Sequence, residues 1–307
     1  MKKDLLSIAD LTSAELLDLV AAAARLKAEW QAGLRATPLL GKTFVLLFEK
    51  PSLRTRLSFE LAISQLGGKS WFLGPAEVGL GKRESISDVG RTLGTYVDGV
   101  IVRVFGHEVA QELAAHCAAP VINGLSDDEH PCQVLADLLT LRERFGRLAG
   151  LTMAYVGDSN NVANSLLLAA PRAGLNLCIA SPAGYEPTSD RLSLADELAR
   201  EAGTWIEVCR GPAAAVANAD AVYADAWYSM GQEHEAAKRR SIFTRYQVNA
   251  ELLEHARHDA AILHCLPAHR GDEITDDVLD GPASLAFQQA ENRVHVQKAL
   301  LLRLLAG

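Results

Sequence analysis

Apolar residues along this chain follow two rhythms. Short unbroken runs bounded by glycine, proline or small polar residues alternate with longer stretches in which apolar positions recur every three or four residues. The first rhythm predicts buried strands at 44–48, 70–73, 99–104, 120–123, 152–156, 175–180, 205–208, 221–224 and 261–263. The second predicts helices. One runs over 16–30, behind a capping box at Thr12-Ser13-Ala14-Glu15, with a stripe at Leu16, Leu19, Val20, Ala23 and Leu26. A helix follows Ser52, with apolar positions at Leu57, Phe59, Leu61, Ile63 and Leu66 and a stop at Gly67-Gly68. Further helices are expected at 85–96, 108–116, 131–145, 162–173 and 190–202, and a closing helix opens at Glu291-Asn292-Arg293 and runs to Leu305. Strands alternating with helices of this length predict an α/β protein with parallel sheets covered by helices.

The chain has 307 residues, nearly half of them apolar, which supplies two cores of roughly 150 residues each. Thirty Lys plus Arg against thirty-eight Asp plus Glu give a net charge of −8, which argues against nucleic acid or a membrane surface as partner. Any anion site must therefore be a local gathering of cations. The cysteines, Cys117, Cys132, Cys178, Cys209 and Cys265, are odd in number and lack Cys-x-x-Cys spacing. They predict free thiols in a reducing compartment, with no zinc site or disulfide framework. The opening residues lack a signal-peptide core and no apolar run spans a bilayer, so a cytoplasmic protein is expected.

Candidate chemistry sits where predicted strands end. Pro51 breaks the first strand, Ser52 is a good N-cap, and Arg54, Thr55 and Arg56 fall in the first turn of the next helix. Cations are disfavoured at that end of a helix unless an anion binds there. Their other reading is a basic helix start in water. Arg103 lies in an apolar strand and needs either a carboxylate or a ligand. The loop 74–83, with three glycines and Lys82-Arg83, is either functional or disordered. His130 precedes Pro131, a residue suited to the first helical position, and shares a helix face with Gln133. In the second half, the turn Gly157-Asp158-Ser159-Asn160-Asn161 places amides at a strand's carboxyl end. It lacks the three-glycine dinucleotide fingerprint. Asp225 ends another strand before Ser229-Met230-Gly231, and the charged run 233–240 has the composition of a mobile lid. Cys265 follows the last strand within His264-Cys265-Leu266-Pro267, either as a functional thiol or as packing.

Taken together, FEKPSLRTR, the Arg103 strand, HPCQ, the SNN turn, DAWYSMGQE, HCLP and ENR resemble ornithine carbamoyltransferases, in the same order and over nearly the whole chain. The resemblance implies two doubly wound domains, each with a central parallel sheet flanked by helices, and an active site in the cleft between them. It assigns 1–143 plus 288–307 to carbamoyl phosphate and 144–287 to ornithine. The carbamoyl phosphate site it implies comprises Ser52, Leu53, Arg54, Thr55, Arg103, His130, Pro131, Cys132, Gln133, Cys265, Leu266 and Arg293. The ornithine site comprises Asn161, Asp225, Ser229 and Met230, and the catalytic residues are Arg54, Arg103, His130, Asp225 and Cys265. Leu53 stands where the common motif has threonine, and Gly79 where many members have glutamine. The implied reaction gives L-citrulline and phosphate from carbamoyl phosphate and L-ornithine, in a homotrimer or a multiple of it, with no metal or organic cofactor. The rivals are a sister transferase using aspartate, putrescine or an acylated ornithine, and a non-catalytic α/β binding protein.

Overall fold

The computed structural model describes residues 4–228 and 233–305. Packing divides the chain into two units, Met1–Leu139 with Glu291–Gly307, and Thr140–Ala290. In chain order the first contains α1 (Ser13–Gln31), β1 (Thr43–Phe48), α2 (Leu53–Gln65), β2 (Lys69–Leu73), α3 (Pro75–Val78), α4 (Ile86–Tyr96), β3 (Gly99–Arg103), α5 (His107–His116), β4 (Val121–Leu125) and the start of α6 (Pro131–Phe145). The second continues with β5 (Thr152–Val156), α7 (Asn161–Arg172), β6 (Asn176–Ala180), α8 (Ser189–Ala202), β7 (Ile206–Cys209), α9 (Pro212–Val216), β8 (Ala221–Ala224), α10 (Ala236–Phe243), α11 (Ala250–Leu253), β9 (Ala261–His264), α12 (Asp276–Leu279) and the start of α13 (Ala286–Leu305).

All pairings within the two sheets are parallel. The first sheet has the order β2-β1-β3-β4 and the second β7-β6-β5-β8-β9. Helical crossovers cover such sheets on both faces, so central strands must be apolar throughout. Accordingly every residue of β3 and β8 is buried. Val45, Leu47, Val100, Val102 and Val121 pack against Val89 and Leu93 of α4 and Ala110 and Leu113 of α5. In the second unit, Ala154, Val156, Val222, Ala224 and Ile262 pack with Val216, Trp227 and Phe243.

Four expectations change. The segment 74–83, expected as a loop that is either functional or disordered, contains a short helix. Pro75 opens a short helix, Glu77 accepts the Gly74 N–H at 2.8 Å, and Gly79 ends it in the left-handed region at φ 62°. The charged run 233–240, expected as a mobile surface lid, is mostly exposed but anchored at one point, where α10 buries Arg239 in ion pairs with Asp158 (2.6 Å) and Glu235 (2.8 Å). The closing helix starts at Ala286, not at Glu291, since Ala-Phe-Gln-Gln-Ala contains no breaker; Arg293 therefore sits two turns inside it. Finally, Leu57 and Leu61 of α2 are exposed, while Phe59 and Ile63 are buried.

Candidate active site

The first sheet reverses its winding between β1 and β3. In open α/β sheets, the crevice outside the carboxyl ends of two such strands is the place for a ligand. Phe48 and Arg103 are register partners there. Beyond Phe48 the chain turns at Pro51 into α2, capped by Ser52, whose Oγ accepts the Thr55 N–H at 3.1 Å. The backbone amides of Leu53 and Arg54 lie in the same turn, where no preceding helical carbonyl reaches them. The Leu53 side chain is exposed, so this position offers its amide and not its side chain. Arg56 points elsewhere: its Nε donates to Glu60 at 3.0 Å and its guanidinium lies 3.9 Å over Phe72.

Thr55 is fully buried, and two arginines meet on its hydroxyl. Arg103 Nη1 donates to Oγ1 at 3.3 Å and Arg293 Nη2 at 2.8 Å. A hydroxyl has two lone pairs and one proton. With both lone pairs engaged by guanidinium groups, its own O–H is left to donate. Burying two cations around one neutral oxygen concentrates positive charge at the sheet edge. Its effect is visible on His130, just before α6. Burial holds its imidazole well below the ordinary histidine range, and Arg293, Arg103, Lys50 and Arg54 push in the same direction. The ring is thus neutral at physiological pH and can donate an N–H without adding charge.

On α6, Gln133 is buried and donates from Nε2 to Asp137 at 2.8 Å. Pro131 is the first helical residue. Cys132 is fully buried, its thiol donates to the Asn123 carbonyl at 3.6 Å, and burial pushes it up to about 12. Such a thiol is packing, not a nucleophile.

In the second unit the winding reverses between β5 and β8, which end in register at Val156 and Ala224. Asp225 follows directly and is buried. Its Oδ1 accepts the Ala226 N–H at 2.7 Å and the Cys265 thiol at 2.9 Å. Its Oδ2 accepts the Asn160 amide at 2.8 Å and the Tyr155 hydroxyl at 3.2 Å. Asn160 caps α7, accepting from Val162 and Ala163 with Oδ1, which fixes its NH2 toward Asp225. Asn161 is the first residue of that helix and is partly exposed. Leu266 adopts the left-handed region at φ 56°, unusual for a residue with a side chain. Its N–H donates to His264 Nδ1 at 2.8 Å, and the other ring nitrogen meets buried Glu273 at 3.1 Å. Ser229 and Met230 lie outside the described residues.

The structure thus gathers Ser52, Thr55, Arg103 and Arg293 around one helix start, with the charges of Arg54, Arg103 and Arg293 all acting on His130. It separately gathers Asp225 and Cys265. Lys50, Tyr155 and Asp137 escape a reading of the sequence, and Asn160 was read there only as an amide at a strand's carboxyl end. Lys50, nine-tenths buried with Nζ 4.7 Å over the Phe105 ring, adds a cation to the first group. Its signal was its place inside FEKPS. Asn160 and Tyr155 hold Asp225; the first was legible as a helix cap, the second is hidden in an apolar strand. Asp137 holds Gln133, and its signal was a carboxylate four residues on, in an otherwise apolar stretch. Among the described residues no group of three or more His, Cys, Asp or Glu is arranged to hold a metal ion, and no helix is long and apolar enough to cross a membrane.

Comparison with known proteins gives this geometry a family. The aspartate/ornithine carbamoyltransferase carbamoyl-P binding domain matches residues 3–143, and the Asp/Orn binding domain of the same family matches 149–304. An ornithine carbamoyltransferase of Anoxybacillus flavithermus is 50% identical over 303 residues, covering 99% of this chain and 96% of its own. The anabolic ornithine carbamoyltransferase of Pyrococcus furiosus is 45% identical, covering 99% of this chain and 97% of its own. A solved structure of ornithine carbamoyltransferase from Pyrococcus furiosus superposes with a TM-score of 0.97 at 45% identity, covering 99% of this chain and 97% of that one. With every strand end that carries chemistry lying inside these matches, the chain belongs to the aspartate/ornithine carbamoyltransferase family, on its ornithine branch.

Proposed function

We propose that this protein transfers the carbamoyl group of carbamoyl phosphate to the δ-amine of L-ornithine, releasing L-citrulline and phosphate, in the biosynthetic direction. The observation that carries the reading is the meeting of Arg103 and Arg293 on Thr55 at the β1/β3 switch point. That cluster suits a small dianion. The α2 amides, the Ser52 and Thr55 hydroxyls and Arg54 hold the phosphate, and they stabilise it as it leaves. Arg103, Thr55 and neutral His130 donate to the carbamoyl oxygen as it gains charge. Gln133 and the Leu266 carbonyl fix the carbamoyl NH2. Pro131 sets the start of the helix that carries Gln133.

The nucleophile is an alkylamine, and it must be neutral. With a free pKa near ~10.4, like that of lysine, its deprotonation at pH 7 costs roughly 4–5 kcal/mol. The neighbouring arginine charges lower that cost by disfavouring the ammonium. Asp225 already accepts four donors, so it attracts and orients the amine instead of acting as a strong base; Cys265 and Asn161 assist, and Ser229 and Met230 bind the amino-acid end. The nitrogen–carbon bond forms, the carbon–oxygen bond to phosphate breaks, and the proton shed by nitrogen passes to the departing phosphate. We assign carbamoyl phosphate binding to 1–143 plus 288–307 and ornithine binding to 144–287, bounds that differ by a few residues from the two packing units at 139/140 and 290/291. The protein works in the cytoplasm as a homotrimer or a multiple of it, for which the exposed leucines of α2 offer an apolar stripe.

The test is colorimetric citrulline formation from carbamoyl phosphate with L-ornithine, run beside putrescine, aspartate and N-acetylornithine. Product from ornithine alone is expected. Preference for another amine would move the assignment to a sister transferase, and no product from any would favour a binding protein.

A further inference from the structure

A glutamine side chain can present either end of its amide to a ligand. The two ends are nearly the same shape and opposite in hydrogen-bonding sense: the NH2 donates, the oxygen accepts. Which end faces the carbamoyl group therefore decides what that group must carry. The α6 geometry makes the choice. Gln133 is 1% exposed and Asp137 is fully buried, one helical turn further on. A carboxylate only accepts, so the amide turns its Nε2 to Asp137 Oδ1 at 2.8 Å. Oε1 is thereby left as the end still able to accept, buried and without a hydrogen-bond partner among the described residues. The Gln133 N–H donates to the His130 carbonyl at 3.1 Å, which keeps this side chain in the same first turn as the imidazole.

We propose that Asp137 is a positioning residue that determines substrate choice. By holding the Gln133 amide in one orientation, it makes the site demand a donor at the transferred group. The site then accepts the NH2 of a carbamoyl phosphate and disfavours an acyl phosphate that carries a methyl group there. This rests on the reading of the first unit as the carbamoyl phosphate site, but not on which amine is the acceptor. A buried acceptor facing a methyl group loses its hydrogen bond and keeps its desolvation cost. Replacing Asp137 with asparagine keeps the shape but supplies an amide that can donate as well as accept. Gln133 is then free to turn over.

The experiment measures dissociation constants of carbamoyl phosphate and acetyl phosphate on the full-length protein by calorimetry, with inorganic phosphate as a control. Wild type should prefer carbamoyl phosphate by tenfold or more. Asp137→Asn should shrink that preference at least fivefold while inorganic phosphate binding stays within twofold. The combined Gln133→Glu and Asp137→Asn swap keeps the net charge and lets the new asparagine donate to the new carboxylate. Its second oxygen is again left as an acceptor. The swap should restore the preference to within threefold of wild type, whatever it does to anion binding in general, and it remains a usable test if Asp137→Asn alone fails to fold. An unchanged preference in Asp137→Asn, equal losses for all three ligands, or a swap that restores nothing would each overturn the assignment. Wild type that binds inorganic phosphate but shows no preference overturns it too. Wild type that binds none of the three sinks the underlying reading along with it.

Discussion

Lys50 and His130 show what a cation cluster does to the groups inside it. Burial, with help from Arg103, pushes Lys50 down to about 8. Below that pH it adds a charge to the anion site; above it, binding a dianion requires Lys50 to take up a proton first. Carbamoyl phosphate affinity should accordingly weaken above pH 8, by up to about tenfold per pH unit. Calorimetry between pH 7 and 9.5 should show this slope in wild type and its loss in Lys50→Met. His130 runs the other way in its effect on folding. Its imidazole is held neutral by burial and by four nearby cations. An unfolded histidine protonates near about 6.5. As pH falls below that value, the unfolded chain gains a proton that the folded protein refuses, so stability drops by up to about 1.4 kcal/mol per pH unit. Urea titrations from pH 7 to 5 should find this loss, and His130→Asn should flatten it. Neither effect was legible in the sequence, because both depend on charges brought together from positions far apart in the chain.

At the level of elements, the sequence was most legible where one segment carries its own signal. Ser52 before an apolar-periodic stretch read correctly as a cap, and its Oγ bonds the Thr55 amide. Removing it with Ser52→Ala should cost about 1 kcal/mol of stability, read from the urea midpoint, besides any loss in phosphate binding. The strands also read well, since a parallel sheet covered on both faces demands unbroken apolar runs. What composition could not show was a single charged side chain buried within an otherwise exposed run. The run before Arg240 looked solvated because its charges outnumber its apolar residues, yet Arg239 is clamped by Asp158, Glu235 and the Trp227 carbonyl. The start of α13 was misplaced because Glu291-Asn292-Arg293 looks like a beginning, while the uncapped alanines and glutamines before it are equally good helix. In α2 the periodicity could not separate leucines that pack inward from those that do not. Leu53, Leu57 and Leu61, spaced four apart, form one exposed stripe.

That stripe matters for the molecule as a whole. A chain of net charge −8 would repel its own copies, so association needs an apolar face to offset that repulsion. If α2 supplies it in the proposed trimer-based assembly, Leu57→Glu combined with Leu61→Glu should shift that assembly toward monomer in light scattering. An unchanged mass would move the interface elsewhere. Both crossings between the two units fall inside continuous helices, α6 and α13.

One feature of that division reaches back to the ribosome. Thr140–Ala290 is contiguous, whereas the first unit is interrupted by it and receives Arg293 only afterwards. Thr55 meets Arg293 across 238 positions, and Lys27 meets Asn292, at 2.7 Å, across 265. A nascent chain therefore emits the start of its proposed phosphate cradle early and must wait through the translation of an entire inserted lobe before the last guanidinium of that cradle arrives. The first unit has all four of its strands by Leu125, yet it lacks residues 291–307 of the closing segment until the inserted lobe has been made, so the unit that starts first is the last to be complete, against the usual order in which the amino-terminal part of a protein matures first.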